Sequence, residues 1–146
     1  MTELSRYLFL LGALPFVLLG IAHALATPLT PEEAKGLSPR DAEYRRGMAT
    51  QTLRLTRQTN LWLAWVGFNL SHSLGAILFG AVVLLVGRSP SAFAANAAAF
   101  VPLAIVVATA YLAIGLRYWF RTPIIGILIS CVCFAASGLL SLAGRG

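Results

Sequence analysis

The stretch LWLAWVGFNLSHSLGAILFGAVVLLV, residues 61–86, decides what kind of protein this is. It holds no Asp, Glu, Lys or Arg, and at about 1.5 Å per residue a helix of this length more than crosses a bilayer. Four hydrogen-bonding side chains nevertheless interrupt it: Asn69, Ser71, His72 and Ser73. Ionisable and polar groups within a span are costly, so they face the interior of a bundle and mark a candidate functional site.

Three further apolar runs reach spanning length, at residues 7–26, 92–116 and 123–143. Turns at 87–91 and 117–122 are short, so neighbouring helices are expected to be antiparallel. Composition agrees with a membrane protein. The chain is 58% hydrophobic and 11% charged, against about 25% charged in soluble domains, and its mean hydropathy is +0.80. These features predict an all-α, four-helix transmembrane bundle forming a single integral membrane domain over residues 1–146.

The first run carries a second reading. Arg6, an apolar core and Ala24-Leu25-Ala26 resemble a signal peptide with its cleavage site; a retained spanning helix is the reading adopted. Cys131 and Cys133 lie inside the fourth run, and at i and i+2 they point about 200° apart on a helix. They suit neither a disulfide nor a shared metal.

The net charge is +6, and six of the eleven basic residues fall between Lys35 and Arg57. The connection over 27–60 is therefore basic and extramembrane. So short a basic stretch, tied to spans, points to anionic lipid headgroups rather than nucleic acid. Thr30-Pro31-Glu32-Glu33 has the form of a capping box with proline at the first helical position, and Gly36 makes a stop. Ser38-Pro39-Arg40-Asp41 predicts a second helix running towards the second span. On it Tyr44, Met48 and Leu55 share a stripe with Gln51, with Arg45, Arg46, Arg54 and Arg57 off it. That pattern suits an amphipathic helix at the membrane surface; a solvated helix with ordinary surface charge is the alternative. Basic residues concentrate in this connection and in the 117–122 turn, which places both in the cytoplasm. A signal-anchor reading of the first helix argues the reverse.

With the ends of the spans taken as level, His72 lies roughly 16 Å deep and His23 roughly 5 Å deep on the side of the long connection. Tyr111 comes out at roughly 8 Å, and Ser130 and Cys131 approach the level of His72. Asn69 shares the His72 face at i−3, with Trp65 and Ala76 completing that stripe. Gly67, Ser71 and Gly75, at spacing four, form a second stripe suited to close helix packing. The expected site is a pocket opening towards the basic side. His72 serves as acid/base or anchor, Asn69 orients it, and His23, Tyr111, Trp65 and Arg117 line the pocket. Blander readings stand beside this one. His72 suits a structural hydrogen bond, His23 an interfacial position, and Tyr111 an aromatic belt with Trp62, Tyr118 and Trp119.

Two histidines on adjacent helices invite haem or a metal. The reckoned depths differ by about 10 Å, and none of the five acidic residues, Glu3, Glu32, Glu33, Asp41 and Glu43, falls in a span to act as a third ligand. Haem and metal are therefore not expected; only a shifted first span would bring the two histidines together for haem. A Ser-His-acid hydrolase lacks its acid for the same reason, and a proton-coupled relay lacks its carboxylates. Arg45, Arg46, Arg54, Arg57, Arg117 and Arg121 are suited to holding a phosphate.

Trp65-Val66-Gly67-Phe68-Asn69-Leu70-Ser71-His72-Ser73-Leu74-Gly75 resembles the signature of a family of uncharacterised small four-pass bacterial inner-membrane proteins. Gly20-Ile21-Ala22-His23 and the region around Met48 are similar to it too. The resemblance implies a bacterial inner membrane and a part for both histidines, and it brings no activity with it. Two functional expectations follow. One is binding of, or action on, a lipid-like or isoprenoid-like amphiphile. The other is a non-enzymatic accessory subunit whose small-residue stripe packs against its own copy or a larger membrane complex.

Overall fold

A computed structural model describes residues 3–144, and among these the fold is all-α. Five helices follow one another: α1 (Glu3–Ala26), α2 (Ala42–Thr50), α3 (Leu61–Gly87), α4 (Pro90–Tyr118) and α5 (Arg121–Ala143). All but α2 are long and apolar enough to cross a membrane. Each exceeds its apolar run by a few residues or matches it, because polar ends extend the hydrogen-bonded spiral into the interface. Ser89 caps α4 by accepting the Ala92 amide at 3.1 Å, and Pro90 takes the first turn, where its missing N–H costs nothing.

The chain divides into two compact units. The first comprises the described residues up to Leu19 and those from Ala76 onward. Here four helical segments pack as a bundle around Phe9, Phe16, Val83, Phe93, Val101 and Phe134. Lipid gives no hydrophobic drive for helices to associate, so close packing and interhelical hydrogen bonds must supply it. Both are visible. Gly12 lies against the Phe134 ring, where an added Cβ would come within 2.5 Å of Cε1. Gly80 lets α3 approach the Ala13 carbonyl and Val17 on α1. Ser137 Oγ donates to Ser5 O at 2.8 Å, and the Ser5 and Ser141 hydroxyls pair at 2.7 Å. Arg6 is buried, bonds Glu3 and donates to the Gly87 carbonyl at 3.1 Å, so it closes the exposed C-terminal end of α3.

The second unit is Gly20–Gly75. Trp62, Met48 and Val66 form its small core. The Trp62 indole N–H donates to the Leu29 carbonyl at 3.3 Å, and the Leu61 amide to the Gln51 carbonyl at 2.8 Å. These bonds fasten the long connection to the first turns of α3.

The connection differs from its sequence expectation. The Thr30–Glu33 capping box starts no helix; residues 30–33 form turns, and the Glu33 carboxylate reaches back to the Leu29 amide at 3.1 Å. Asp41, not Ser38, caps α2, and the helix stops at Thr50 rather than running into the second span. Beyond it the chain turns through a loop whose ends meet at a Thr52–Asn60 bridge. The predicted stripe therefore breaks up: Met48 is buried, Tyr44 is exposed, and Leu55 stands 93% exposed in the loop. Arg45 is not a surface cation. It is buried, and its guanidinium donates to the carbonyls of Pro31, Pro39 and Arg40.

Asp41 makes α2 sensitive to acid. Its carboxylate accepts the Tyr44 and Glu43 amides at 3.0 and 2.7 Å, and these bonds hold its pKa below the ordinary aspartate value. A depressed folded pKa means stabilisation that is full above the unfolded value of about 4 and fades as pH falls through the lowered one. Protection of the Glu43 and Tyr44 amides, taken against intrinsic exchange at each pH, is expected to hold down to about pH 4 and to fall below it. In Asp41→Asn the same amides should exchange with no such step.

Candidate functional site

His23, Asn69, His72 and Trp65 all belong to the second unit, and there the structure brings them together. His23 lies in the last turn of α1. The Thr27 hydroxyl donates to the His23 carbonyl at 2.8 Å and so satisfies one carbonyl that the helix end leaves open. Asn69 lies two turns into α3 and is buried, while His23 and His72 are each half-buried.

The carboxamide of Asn69 decides the chemistry of its neighbour. Its Nδ2 donates to the Trp65 carbonyl at 2.7 Å, and a backbone oxygen accepts only, so Nδ2 must face it. Oδ1 is then the atom 2.8 Å from His23 Nε2. An amide oxygen also accepts only, so His23 carries its proton on Nε2 and donates it. In the neutral ring this leaves Nδ1 as the basic nitrogen. Ser73 Oγ donates to the Asn69 carbonyl at 2.9 Å and steadies the same turn.

His72 follows Asn69 on α3. Its ring centroid is 5.1 Å from that of His23, with the planes at 64°, and the Phe68 ring lies nearly parallel to it at 6.3 Å. Two expectations are corrected here. The histidines are neighbours, not groups about 10 Å apart in depth, because the spans do not begin at one level. From the His23–Asn69 bond, α1 has three residues left to Ala26 and α3 has eight back to Leu61. At about 1.5 Å per residue α3 overhangs α1 by roughly 7 Å. The carboxamide of Asn69, moreover, bonds His23 and Trp65, so the imidazole it is seen to orient is that of His23.

Trp65 packs on Trp62 at 5.3 Å between ring centroids, beside the cluster and joined to it through its carbonyl. Tyr111 and Arg117 belong to the first unit. Tyr111 meets Phe16 at 5.2 Å and Trp119 at 6.1 Å, both edge-on. Arg117 is exposed in the last turn of α4 and lies over the Tyr118 ring at 5.5 Å. Ser130 is buried and donates to Gly126 O at 3.4 Å.

The second stripe of α3 lies on an exposed face. Gly67, Ser71 and Gly75 are exposed, and an added Cβ at either glycine would meet nothing within 4 Å. The spacing suits close packing, but the glycines against which neighbouring helices close most tightly are Gly12, Gly80, Gly87 and Gly126. Among the described residues no group of three or more His, Cys, Asp or Glu side chains gathers. Comparison with family models, with curated proteins and with solved structures finds no match to this chain.

The residue that sequence reasoning undervalued is Arg45, a buried clamp with three carbonyl acceptors. Its signal was faint: Pro31 and Pro39 flag a chain that turns back on itself and leaves carbonyls in need of donors.

Proposed function

We propose that this multi-pass membrane protein uses His23, Asn69 and His72 to hold the polar head of a lipid-like or isoprenoid-like amphiphile. The observation that carries the reading is the His23–Asn69 hydrogen bond with the His72 ring 5.1 Å away. Building a bonded polar cluster into apolar helices is costly unless a ligand uses it. Asn69 sets the tautomer of His23, and His72 supplies a second imidazole that can give or take a proton. Trp65 flanks the cluster, while Tyr111 and Arg117 are secondary candidates. The exposed Arg40, Arg46, Arg54 and Arg57 of the connection suit anionic headgroups. The resemblance supports a bacterial inner membrane, and the basic residues support a cytoplasmic connection.

A second reading has its own support: the exposed Gly67/Ser71/Gly75 face suits close contact with another helix. In that case the chain is an accessory subunit, packed against its own copy or a larger complex. Native extraction followed by mass spectrometry separates the two. Wild type is expected to carry a bound amphiphile that His72→Ala loses. Identical bound species in both proteins would overturn the first reading, and a copurifying membrane protein lost in Gly67→Leu would favour the second.

A further inference from the structure

We infer that His23 and His72 together form a binding site for a divalent transition-metal ion, zinc or copper, with its remaining coordination positions open. This inference stands independently of the amphiphile.

Geometry comes first. Imidazole binds zinc at about 2.0–2.1 Å, which puts each ring centre about 3.2 Å from the ion. Two such rings at a tetrahedral angle have centres about 5.2 Å apart. The His23 and His72 centroids are 5.1 Å apart, with the planes inclined at 64°. A trans pair, as haem would demand, needs about 6.4 Å at the same bond length, so the observed spacing matches a bent, shared ion and not a trans pair.

The surroundings supply the second argument. A metal-binding histidine usually gives its other ring N–H to a carboxylate or carbonyl, which fixes the tautomer and raises the basicity of the ligating nitrogen. The Asn69 carboxamide does this for His23: pinned by the Trp65 carbonyl, it takes the Nε2 proton and leaves Nδ1 as the electron-pair donor. His72 needs to offer only one nitrogen. Both rings are half-buried, so an ion has access to them.

The donor set narrows the ion. Two neutral imidazoles with no thiolate or carboxylate favour zinc or copper over magnesium or calcium, which prefer oxygen. No third His, Cys, Asp or Glu joins them among the described residues. The ion therefore keeps its full charge, and its open positions take water or an anionic oxygen from outside the chain. Catalytic zinc has three protein ligands and one open position; with two imidazoles the third ligand as well must come from outside the described residues.

The test uses tag-free, full-length protein in nanodiscs, stripped with chelator and titrated with Zn²⁺ and with Cu²⁺. One ion per chain is expected, with at least tenfold weaker binding in His23→Ala and in His72→Ala. Asn69→Leu should weaken it by about tenfold, as removal of such an orienting partner does elsewhere. Because a histidine variant can fail by misfolding, the Cu²⁺ paramagnetic resonance spectrum of the wild type is the second measurement. It is expected to show coupling to two imidazole nitrogens. Coupling to one nitrogen or none, or equal affinity in wild type and a folded double variant, overturns the site.

Discussion

Arg45→Ala is expected to open the long connection while the four spanning helices stay in place. The guanidinium is buried and holds three carbonyls, at 2.7 Å to Pro31, 2.7 Å to Pro39 and 3.1 Å to Arg40. Hydrogen bonds with a charged partner contribute about 1.5–3 kcal/mol each. They do not add, and the freed carbonyls partly rehydrate, so a net local loss of about 3 kcal/mol is expected. That is roughly a hundredfold in the opening equilibrium. Limited trypsin digestion at Lys35, Arg40 and Arg46 reads it directly, because cleavage tracks the open population when reclosing is fast. The comparison is Arg46→Ala. Arg46 is exposed and bonds only the Ala42 carbonyl of its own helix, at 3.3 Å; digestion of that variant at the remaining sites should match the wild type. Equal digestion of both variants would show that the clamp does not hold the connection.

Gly80→Leu is expected to disrupt the bundle of the first unit, and Gly67→Ala on the same helix to leave it intact. A Cβ at Gly80 would sit 2.5 Å from Val17 Cγ2, 3.1 Å from the Ala13 carbonyl oxygen and 3.3 Å from the Val17 nitrogen. Two of those atoms are α1 backbone, and a β-branched valine is stiff, so the helices must separate. Overpacking typically costs about 1–3 kcal/mol. Leucine exceeds the methyl case, and in lipid the separated helices lose packing with no hydrophobic compensation. A large fall in Tm in detergent is expected, with alanine intermediate. At Gly67 nothing lies within 4 Å, and alanine is the better helix former by up to about 1 kcal/mol. A Gly80→Leu protein as stable as the wild type would refute the close approach.

The sequence reveals the four spans because hydropathy is summed over many residues, and no single side chain can reverse it. Asn69, His72 and Trp65 share a region of α3 for the same kind of reason: helical spacing is rigid. What could not be read was the register between helices. Taking the span ends as level ignored that residues 61–86 outnumber residues 7–26, so that one end of the longer helix had to overhang. Placing the overhang on the side of the connection brings Asn69 level with His23 and His72 within one turn of it. The connection misled for a different reason. A capping box satisfies a helix end but does not supply a helix, and the few residues between Thr30 and Gly36 cannot meet the nucleation cost. Glu33 made a capping-type bond all the same, to Leu29, across a turn. Small-residue spacing does not say which partner it meets: the Gly67/Ser71/Gly75 face is exposed, while packing within the first unit uses Gly12, Gly80, Gly87 and Gly126.

The Ser5 bonds to Ser137 and Ser141 join residues 132 and 136 positions apart, and Phe134 closes on Gly12 in the same region. During synthesis α1 enters the membrane long before α5 exists. Until the last helix arrives, Gly12 lacks the Phe134 ring and the Ser5 hydroxyl has none of these partners. These α1–α5 contacts are thus the last of the bundle to form, whereas the α1–α3 approach at Gly80 needs only the earlier helices.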